Sequence, residues 1–199
     1  MDSKPPGALK RFWNILNRPS AKYSLLAITG VSFIAGILFW GGFHTGLEMT
    51  NTLEFCTTCH EMRDTVYQEY KETIHYSNRT GVRAICSDCH VPREWGPKML
   101  RKMKASLEVW GKLMGTIDTK EKFEAKRMEL ATHEWARMKA NNSLECRNCH
   151  NFEAMSPELQ KQTPYRKHMK AKEAGKACID CHKGIAHKLP KEYEEPEDE

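Results

Sequence analysis

The sequence has no cysteine outside four copies of one short motif. Each copy reads Cys-x-x-Cys-His, and the copies end at His60, His90, His150 and His182. Structural disulfides are disfavoured, because a two-residue spacer is poor for a framework bridge. Zinc sites also combine Cys-x-x-Cys with histidine, but they do not need a histidine directly after every pair. The sequence also lacks a Cys-x-x-Cys-Lys site, which would signal a specialised reductase.

The pentapeptide is typical of c-type haem attachment, in which two thiols form thioethers and the histidine ligates the iron. Four copies predict four covalently bound haem c groups and a multihaem electron carrier. The predicted attachment residues are Cys56, Cys59, Cys86, Cys89, Cys146, Cys149, Cys178 and Cys181. The predicted proximal iron ligands are His60, His90, His150 and His182.

Apolar residues are scarce outside one segment, and the mean hydropathy is −0.67. A chain this polar cannot build a large side-chain core, so the haems must supply much of the apolar surface. The pI near 8.7 suggests nucleic-acid binding as one function to consider. However, aromatic and basic residues are not interleaved as in a recognition module, and nucleic-acid binding is excluded.

The one long apolar run covers residues 23–43 and contains no charge. It is long enough to cross a bilayer, whereas the apolar region of a cleaved signal is about 7–15 residues. We therefore expect a transmembrane anchor, with membrane lipid as a partner. Residues 1–22 are basic, which predicts a cytoplasmic N-terminus and a haem domain in the periplasm of a bacterial inner membrane.

The motifs fall into two pairs, with first cysteines 30 residues apart in one pair and 32 in the other. This spacing predicts a periplasmic domain over 44–189, built from two dihaem halves at about 50–95 and 140–189. Residues 98–140 contain no proline and predict two joining helices, broken near 115–118, of which the second runs over 120–140. The expected fold is mainly α with extensive loops and no sheet. Residues 190–199 form an acidic tail that we expect to be disordered.

Distal iron ligands must come from outside the motifs. His75 and His168 precede the second motif of each pair by 11 and 10 residues, and His187 follows the last motif closely. We predict these three as distal ligands. His133 is expected on a helix surface and His44 at the membrane interface. Met62, two residues after His60, is either an iron ligand or a core gap-filler.

Taken together, the chain resembles the NapC/NirT family of membrane-anchored tetrahaem cytochromes c over nearly its whole length. The similarity rests on the anchor, on Cys-x-x-Cys-His-x-Met at the first motif and on His75-Tyr-Ser-Asn. It also rests on the run Cys89-His-Val-Pro-Arg-Glu-Trp-Gly-Pro-Lys98 and on the ending Cys178-Ile-Asp-Cys-His-Lys-Gly-Ile-Ala-His187.

The resemblance implies a distinct first haem near the membrane, with Met62 as its ligand and a quinol site beside it. It leaves iron binding by His60 open. It implies a basic quinol-binding residue, for which Lys98 and Lys102 are the candidates, and acidic partners among Glu48, Glu108 and Asp118. The alternative for each of these charges is a solvated helix face or a lipid-headgroup contact.

The family further implies oxidation of menaquinol or ubiquinol and electron delivery to a periplasmic reductase, with nitrate reductase the first choice. One alternative is an electron-relay anchor subunit in a fixed nitrite reductase complex. Another is a terminal reductase acting on a small ligand. A homodimer formed through the anchor stays open.

Overall fold

The computed structural model describes residues 7–16 and 19–194. These residues form α-helices joined by irregular loops and contain no β-strand, which confirms the mainly α fold predicted from the sequence. The helices are α1 Ala8–Leu16, α2 Leu25–Met49, α3 Leu53–Cys56, α4 His60–Arg63, α5 Val66–Lys71, α6 Cys86–His90, α7 Trp95–Leu113, α8 Lys120–Ala125, α9 Arg127–Ala140, α10 Leu144–Arg147, α11 Gln162–Glu173 and α12 Cys178–Cys181. A short 3-10 helix covers Phe152–Ala154.

The chain divides into two compact units, Met1–Glu48 and Met49–Glu199. The first unit contains α1 and nearly all of α2. Helix α1 was not predicted, because only the positive charge of this region was used for the prediction. Its Leu9, Phe12 and Trp13 side chains are exposed beside Lys10 and Arg11.

Helix α2 is long and apolar enough to cross a membrane, with a mean hydropathy of 1.9. Its 25 residues span about 37 Å at 1.5 Å per residue, more than the roughly 30 Å hydrocarbon core. The Ser24 hydroxyl accepts a hydrogen bond from the Ala27 amide (3.2 Å) just before the helix. At its other end α2 runs six residues past the predicted end at residue 43, to Met49, because no proline stops it there.

The second unit has a small side-chain core, as the polar composition predicts. Met138 of α9 packs with Ala177 and Ile179 around α12, and the half-buried Trp135 covers them. Tyr70 and Phe123 are buried elsewhere. The buried polar residues are Glu61, Thr65, Ser143 and Glu145, so charge and hydrogen bonding occupy much of the interior.

The expected single helix from Lys120 to Ala140 is wrong, because the structure has α8 and α9 with a break at Lys126. The Lys126 amide bonds the Phe123 carbonyl oxygen (3.1 Å), which tightens the last turn of α8. This break lets Phe123 bury its ring while Arg127 directs its guanidinium to the Glu69 carboxylate (2.5 Å). Two buried contacts thus outweigh the helical propensity of the segment.

The predicted disorder of the acidic tail is wrong for its first residues. The Tyr193 ring packs edge-on against Trp135, with 5.1 Å between ring centroids. The Lys183 ammonium lies over both rings at 5.4 and 5.6 Å. Residues 195–199, which carry the rest of the predicted disorder, lie outside the described residues.

Candidate metal centre

Each motif is carried by a short helix or begins within one. Helices α6 and α12, which carry the second and fourth motifs, share the same N-terminal cap. The Asp88 carboxylate accepts a hydrogen bond from the Ile85 amide (2.9 Å), and the Asp180 carboxylate accepts one from the Ala177 amide (3.1 Å). Sequence reasoning passed over this aspartate, although Cys-x-Asp-Cys stands in both motifs.

The four motifs lie next to one another in chain order. Helix α3 packs against α6, and a hydrogen bond from the Cys86 thiol lowers the pKa of Cys56 to about 7. Helix α6 packs against α10; burial raises the pKa of Cys89 to about 11, and the neighbouring Cys146 adds to the shift.

The third motif is joined to the fourth by a buried hydrogen bond. The Ile179 amide donates to the Ser143 hydroxyl at 3.1 Å, directly before α10. The motifs therefore form one continuous row from the first to the fourth.

Three motif histidines each face one histidine from outside the motifs. The ring centroids of His75 and His150 are 6.2 Å apart. Those of His90 and His187 are 6.1 Å apart. Those of His168 and His182 are 5.9 Å apart. The three predicted distal ligands are thus brought to three different motifs, a pairing that sequence spacing could not assign.

These separations fit a metal ion held between two rings. With a metal–nitrogen bond of about 2 Å, two imidazoles on opposite sides of one ion have centroids about 6 Å apart. The three ring separations therefore match the distance that a metal ion held between two imidazoles would need. In the part of the chain that the structure describes, no group of three or more His, Cys, Asp or Glu side chains converges, as a tetrahedral zinc site would need. All eight cysteines are free thiols, so the disulfide alternative is wrong.

Two of the paired rings are held by their Nδ1 atoms. His90 Nδ1 lies 2.9 Å from a Glu134 carboxylate oxygen, and His168 Nδ1 lies 2.9 Å from the Gln160 side-chain oxygen. Each contact leaves Nε2 available for a metal ion and fixes the ring orientation. Burial opposes ionisation of Glu134, but the His90 hydrogen bond and then Arg137 outweigh it and lower the pKa of Glu134.

His187 reaches His90 through the turn that follows the last motif. Burial, and then the charge of His90, lowers the pKa of His187 to about 4. The imidazole is therefore neutral at neutral pH and offers a lone pair to a metal. The turn depends on Gly184, whose φ of +72° favours glycine.

We expect Gly184→Ala to lower the free energy of unfolding by about 1–2 kcal/mol, because the left-handed conformation is costly with a Cβ. The new Cβ would also lie 3.0 Å from Leu189 Cγ. Thermal unfolding followed by circular dichroism measures the change. Gly96→Ala is the matched control, since nothing lies within 4 Å of its Cβ position and its φ is not positive. Equal destabilisation of both variants would contradict the prediction.

The first motif differs from the other three. His60 is exposed, and within the described residues no second imidazole faces it at a comparable distance. Its Nδ1 lies 3.5 Å from the buried Glu61 carboxylate, which the Lys112 ammonium also contacts at 3.1 Å. Met62 is half-buried two residues from His60 on α4.

Sequence reasoning missed Glu61 and Lys112. Glu61 stands between two predicted ligands, but nothing in the sequence signals its burial, and its partner Lys112 is 51 residues away. Only the fold brings this ion pair to the first motif.

Of the five candidate quinol-site residues, Glu48 is exposed near the end of α2, and two others lie near the first motif. The Lys102 ammonium donates to the Thr50 hydroxyl (2.7 Å), and its charge contributes to the low pKa of Cys56. The Lys122 ammonium lowers the pKa of Asp118, and His60 adds to the same shift. Asp118 and Lys102 therefore both lie close to the first motif.

The other two predicted quinol-site residues are less directly placed. Lys98 is half-buried on α7, one turn before Lys102. Glu108 is exposed on the same helix, and its carboxylate accepts a hydrogen bond from Arg101 at 2.9 Å. His133 is exposed on α9, as expected. His44 lies within α2, and its place at the membrane interface stays a prediction.

Comparison with known proteins identifies close relatives. The "Denitrification system component NirT" of Stutzerimonas stutzeri is 61% identical over 93% of this chain and 92% of that protein. The "Cytochrome c-type protein NapC" of Escherichia coli K12 is 57% identical over 94% of this chain and 93% of that protein. The "Cytochrome c-type protein TorC" of Escherichia coli K12 is 47% identical over 92% of this chain but only 47% of its own length.

No solved structure matches the chain. The model of the NapC/NirT cytochrome c family, N-terminal region, matches residues 18–192. This match covers both the apolar helix and all four motifs, and the full-length relatives carry the similarity across nearly the whole chain. The chain therefore belongs to the NapC/NirT cytochrome c family.

Proposed function

We propose that this protein oxidises quinol at the outer face of the cytoplasmic membrane and passes the electrons to a periplasmic reductase. Family membership and the apolar helix α2 indicate a membrane-anchored cytochrome c. The observation that carries the proposal is a row of three histidine pairs that begins beside one motif of a different kind. We take the first motif, which differs from the other three, as the point where electrons enter the row.

Four haem c groups, one for each motif, would supply a chain of one-electron carriers when bound. The residues proposed to attach them are the eight motif cysteines. The proposed axial ligands are the paired rings of His75 and His150, His90 and His187, and His168 and His182. Met62, with His60 beside it, is proposed for the first site. The shared aspartate caps of α6 and α12 support a duplicated two-haem unit.

The entry site needs groups that bind a quinol headgroup and take up its protons. Oxidation of one quinol to quinone releases two electrons and two protons. The Lys102 ammonium can donate a hydrogen bond to a headgroup oxygen near Cys56. The exposed Asp118 carboxylate is ionised and can accept a hydrogen bond from a quinol hydroxyl, and then its proton. Lys98 and Glu108 are proposed after Lys102 and Asp118, because the latter two interact electrostatically with residues of the first motif.

The basic residues Lys10, Arg11 and Lys22 before α2 support a cytoplasmic N-terminus and a periplasmic haem domain. Nitrate reductase is the proposed electron acceptor, because the family that the chain resembles includes electron donors to that enzyme. A fixed complex with a nitrite reductase is the second candidate, favoured by the 61% identical relative named as a denitrification component.

The test is anaerobic reduction of the purified holoprotein by a menaquinol or ubiquinol analogue, followed through the reduced haem bands. Met62→Ala is expected to slow reduction by quinol about tenfold or more, because it alters the entry site, while dithionite still reduces every haem. Met128→Ala, another half-buried methionine, is the matched control and should behave as wild type. A wild-type protein that dithionite reduces and quinol does not would refute the proposal.

A further inference from the structure

Helix α7 is amphipathic, but its apolar side is exposed and its basic side faces the protein. Its half-buried positions, which contact the rest of the second unit, include the basic residues Lys98, Arg101, Lys102 and Lys112. Five of its large apolar side chains are instead 54–72% exposed: Leu100, Met103, Leu107, Trp110 and Leu113. A surface helix of a water-soluble domain normally presents the opposite arrangement, with its apolar stripe against the core.

The exposed apolar residues form one continuous surface. At 100° per residue, the five side chains from Leu100 to Leu113 fall within an arc of about 140°. A strict coiled-coil seam is narrower than this arc. Apolar patches of this extent on a protein surface mark an interaction site. We call this surface the α7 stripe.

The first haem-attachment motif lies on the other side of the helix. The Lys102 charge acts on Cys56, and Lys112 contacts Glu61 at 3.1 Å and hydrogen-bonds the Cys59 thiol. Both lysines belong to the polar, protein-facing side of α7. A group held by Cys56 and Cys59 therefore adjoins that side, and the α7 stripe requires a different partner.

The polar side of α7 is also hydrogen-bonded to the residue that follows α2 in sequence. The Lys102 ammonium donates to the carbonyl oxygen (3.1 Å) and the hydroxyl (2.7 Å) of Thr50. Thr50 directly follows Met49, the last residue of α2. The middle of α7 is therefore held to the start of the second unit, which directly follows the candidate membrane span in sequence.

We propose that α7 lies in the interface of the bilayer that α2 enters, with the α7 stripe in contact with lipid. The exposed Lys104, at the edge of the stripe, suits the anionic phosphates of the headgroups. A helix lying in the membrane plane buries its apolar side about 5–10 Å into the bilayer boundary. This inference rests on membrane anchoring and not on quinol oxidation, so either can fail without the other.

The test uses the absence of spare cysteines. Since haem attachment uses all eight native thiols, Leu107→Cys introduces the one free thiol of the holoprotein, at the centre of the α7 stripe. Glu129→Cys, on the exposed surface of α9, is the matched control. Each holoprotein is incorporated as one copy per nanodisc of phosphatidylethanolamine and phosphatidylglycerol, and mass spectrometry verifies four haems before labelling.

Two maleimides are compared, one sulfonated and confined to water, the other N-alkylated and soluble in lipid. We expect the sulfonated reagent to label Leu107→Cys at least about tenfold more slowly than Glu129→Cys, and the alkyl reagent to reverse that order. Equal rates with the sulfonated reagent would overturn the proposal, because the stripe would face water. Slow labelling by both reagents would also overturn it, since protein or cofactor would cover the stripe. Protection only in discs that hold two copies would show self-association instead of lipid contact.

Discussion

Replacing His187 by alanine is expected to remove one proposed iron ligand from the site at His90, while the proposed haem attachment at the motif cysteines is unchanged. The attachment cysteines are untouched, but His90 loses the ring that faces it at 6.1 Å. Burial keeps the His187 imidazole neutral, and a neutral ring is the ligand form. The site is expected to become five-coordinate, because the other two pairs already occupy the remaining predicted distal histidines.

The change is measured as a high-spin absorption band and one additional equivalent of carbon monoxide bound by the reduced protein. His133→Ala is the matched control, because His133 is a non-motif histidine exposed on α9. The control should match wild type in both measurements. If His187→Ala shows the wild-type spectrum, or if His133→Ala shows the change instead, the assignment of His187 is wrong.

Replacing Arg137 by methionine is expected to lower the free energy of unfolding by about 3 kcal/mol, the lower end of the range for breaking a buried ion pair. The Arg137 guanidinium bonds the Glu145 carboxylate at 2.5 Å and the Glu134 carboxylate at 2.7 Å. It also donates to the Cys89 carbonyl oxygen at 3.2 Å, which joins α9 to the second motif. The Glu145 side chain is 1% exposed, so the substitution leaves its carboxylate buried without its cationic partner, while the hydrogen bond from Asn141 remains.

Chemical denaturation of the holoprotein, followed by circular dichroism, measures this loss. Arg63→Met removes an exposed ion pair with Asp64 and should leave the midpoint unchanged, since such pairs contribute little. Adding Glu145→Gln to Arg137→Met should recover part of the stability, because a buried amide costs less than an unpaired charge. A single Arg137→Met variant as stable as Arg63→Met would contradict the prediction.

The sequence specifies the chemistry of the centre better than its geometry. Cysteine spacing predicts haem attachment because a pentapeptide suffices to place two thiols and an imidazole. Pairing is different: His75 stands 11 residues before Cys86, yet its ring faces His150 of the third motif. The His75 carbonyl oxygen accepts hydrogen bonds from the Ala84 amide and the Tyr70 hydroxyl, which fix the loop without any signal in the spacing.

The helices were likewise predictable from the sequence, but not all of their boundaries were. Composition predicts helices between the motif pairs, and α7, α8 and α9 are found there. The break at Lys126 could not be predicted, because it depends on burial of Phe123 and on a carboxylate at Glu69, far away in sequence. The exposure of the α7 stripe was also missed, since an amphipathic pattern does not reveal which side faces the protein.

The crossed histidine pairs have a consequence for how the protein can be made. His75, from the first pair of motifs, faces the third motif, and His187, from beyond the fourth, faces the second. Only His168 and His182 come from the same half. During synthesis, His75 therefore emerges long before His150, the ring that it faces. His90 likewise emerges long before His187. Two of the three histidine pairs therefore join residues that are far apart in sequence, and a gene split between the motif pairs would yield two fragments that each lack rings facing the other's motifs.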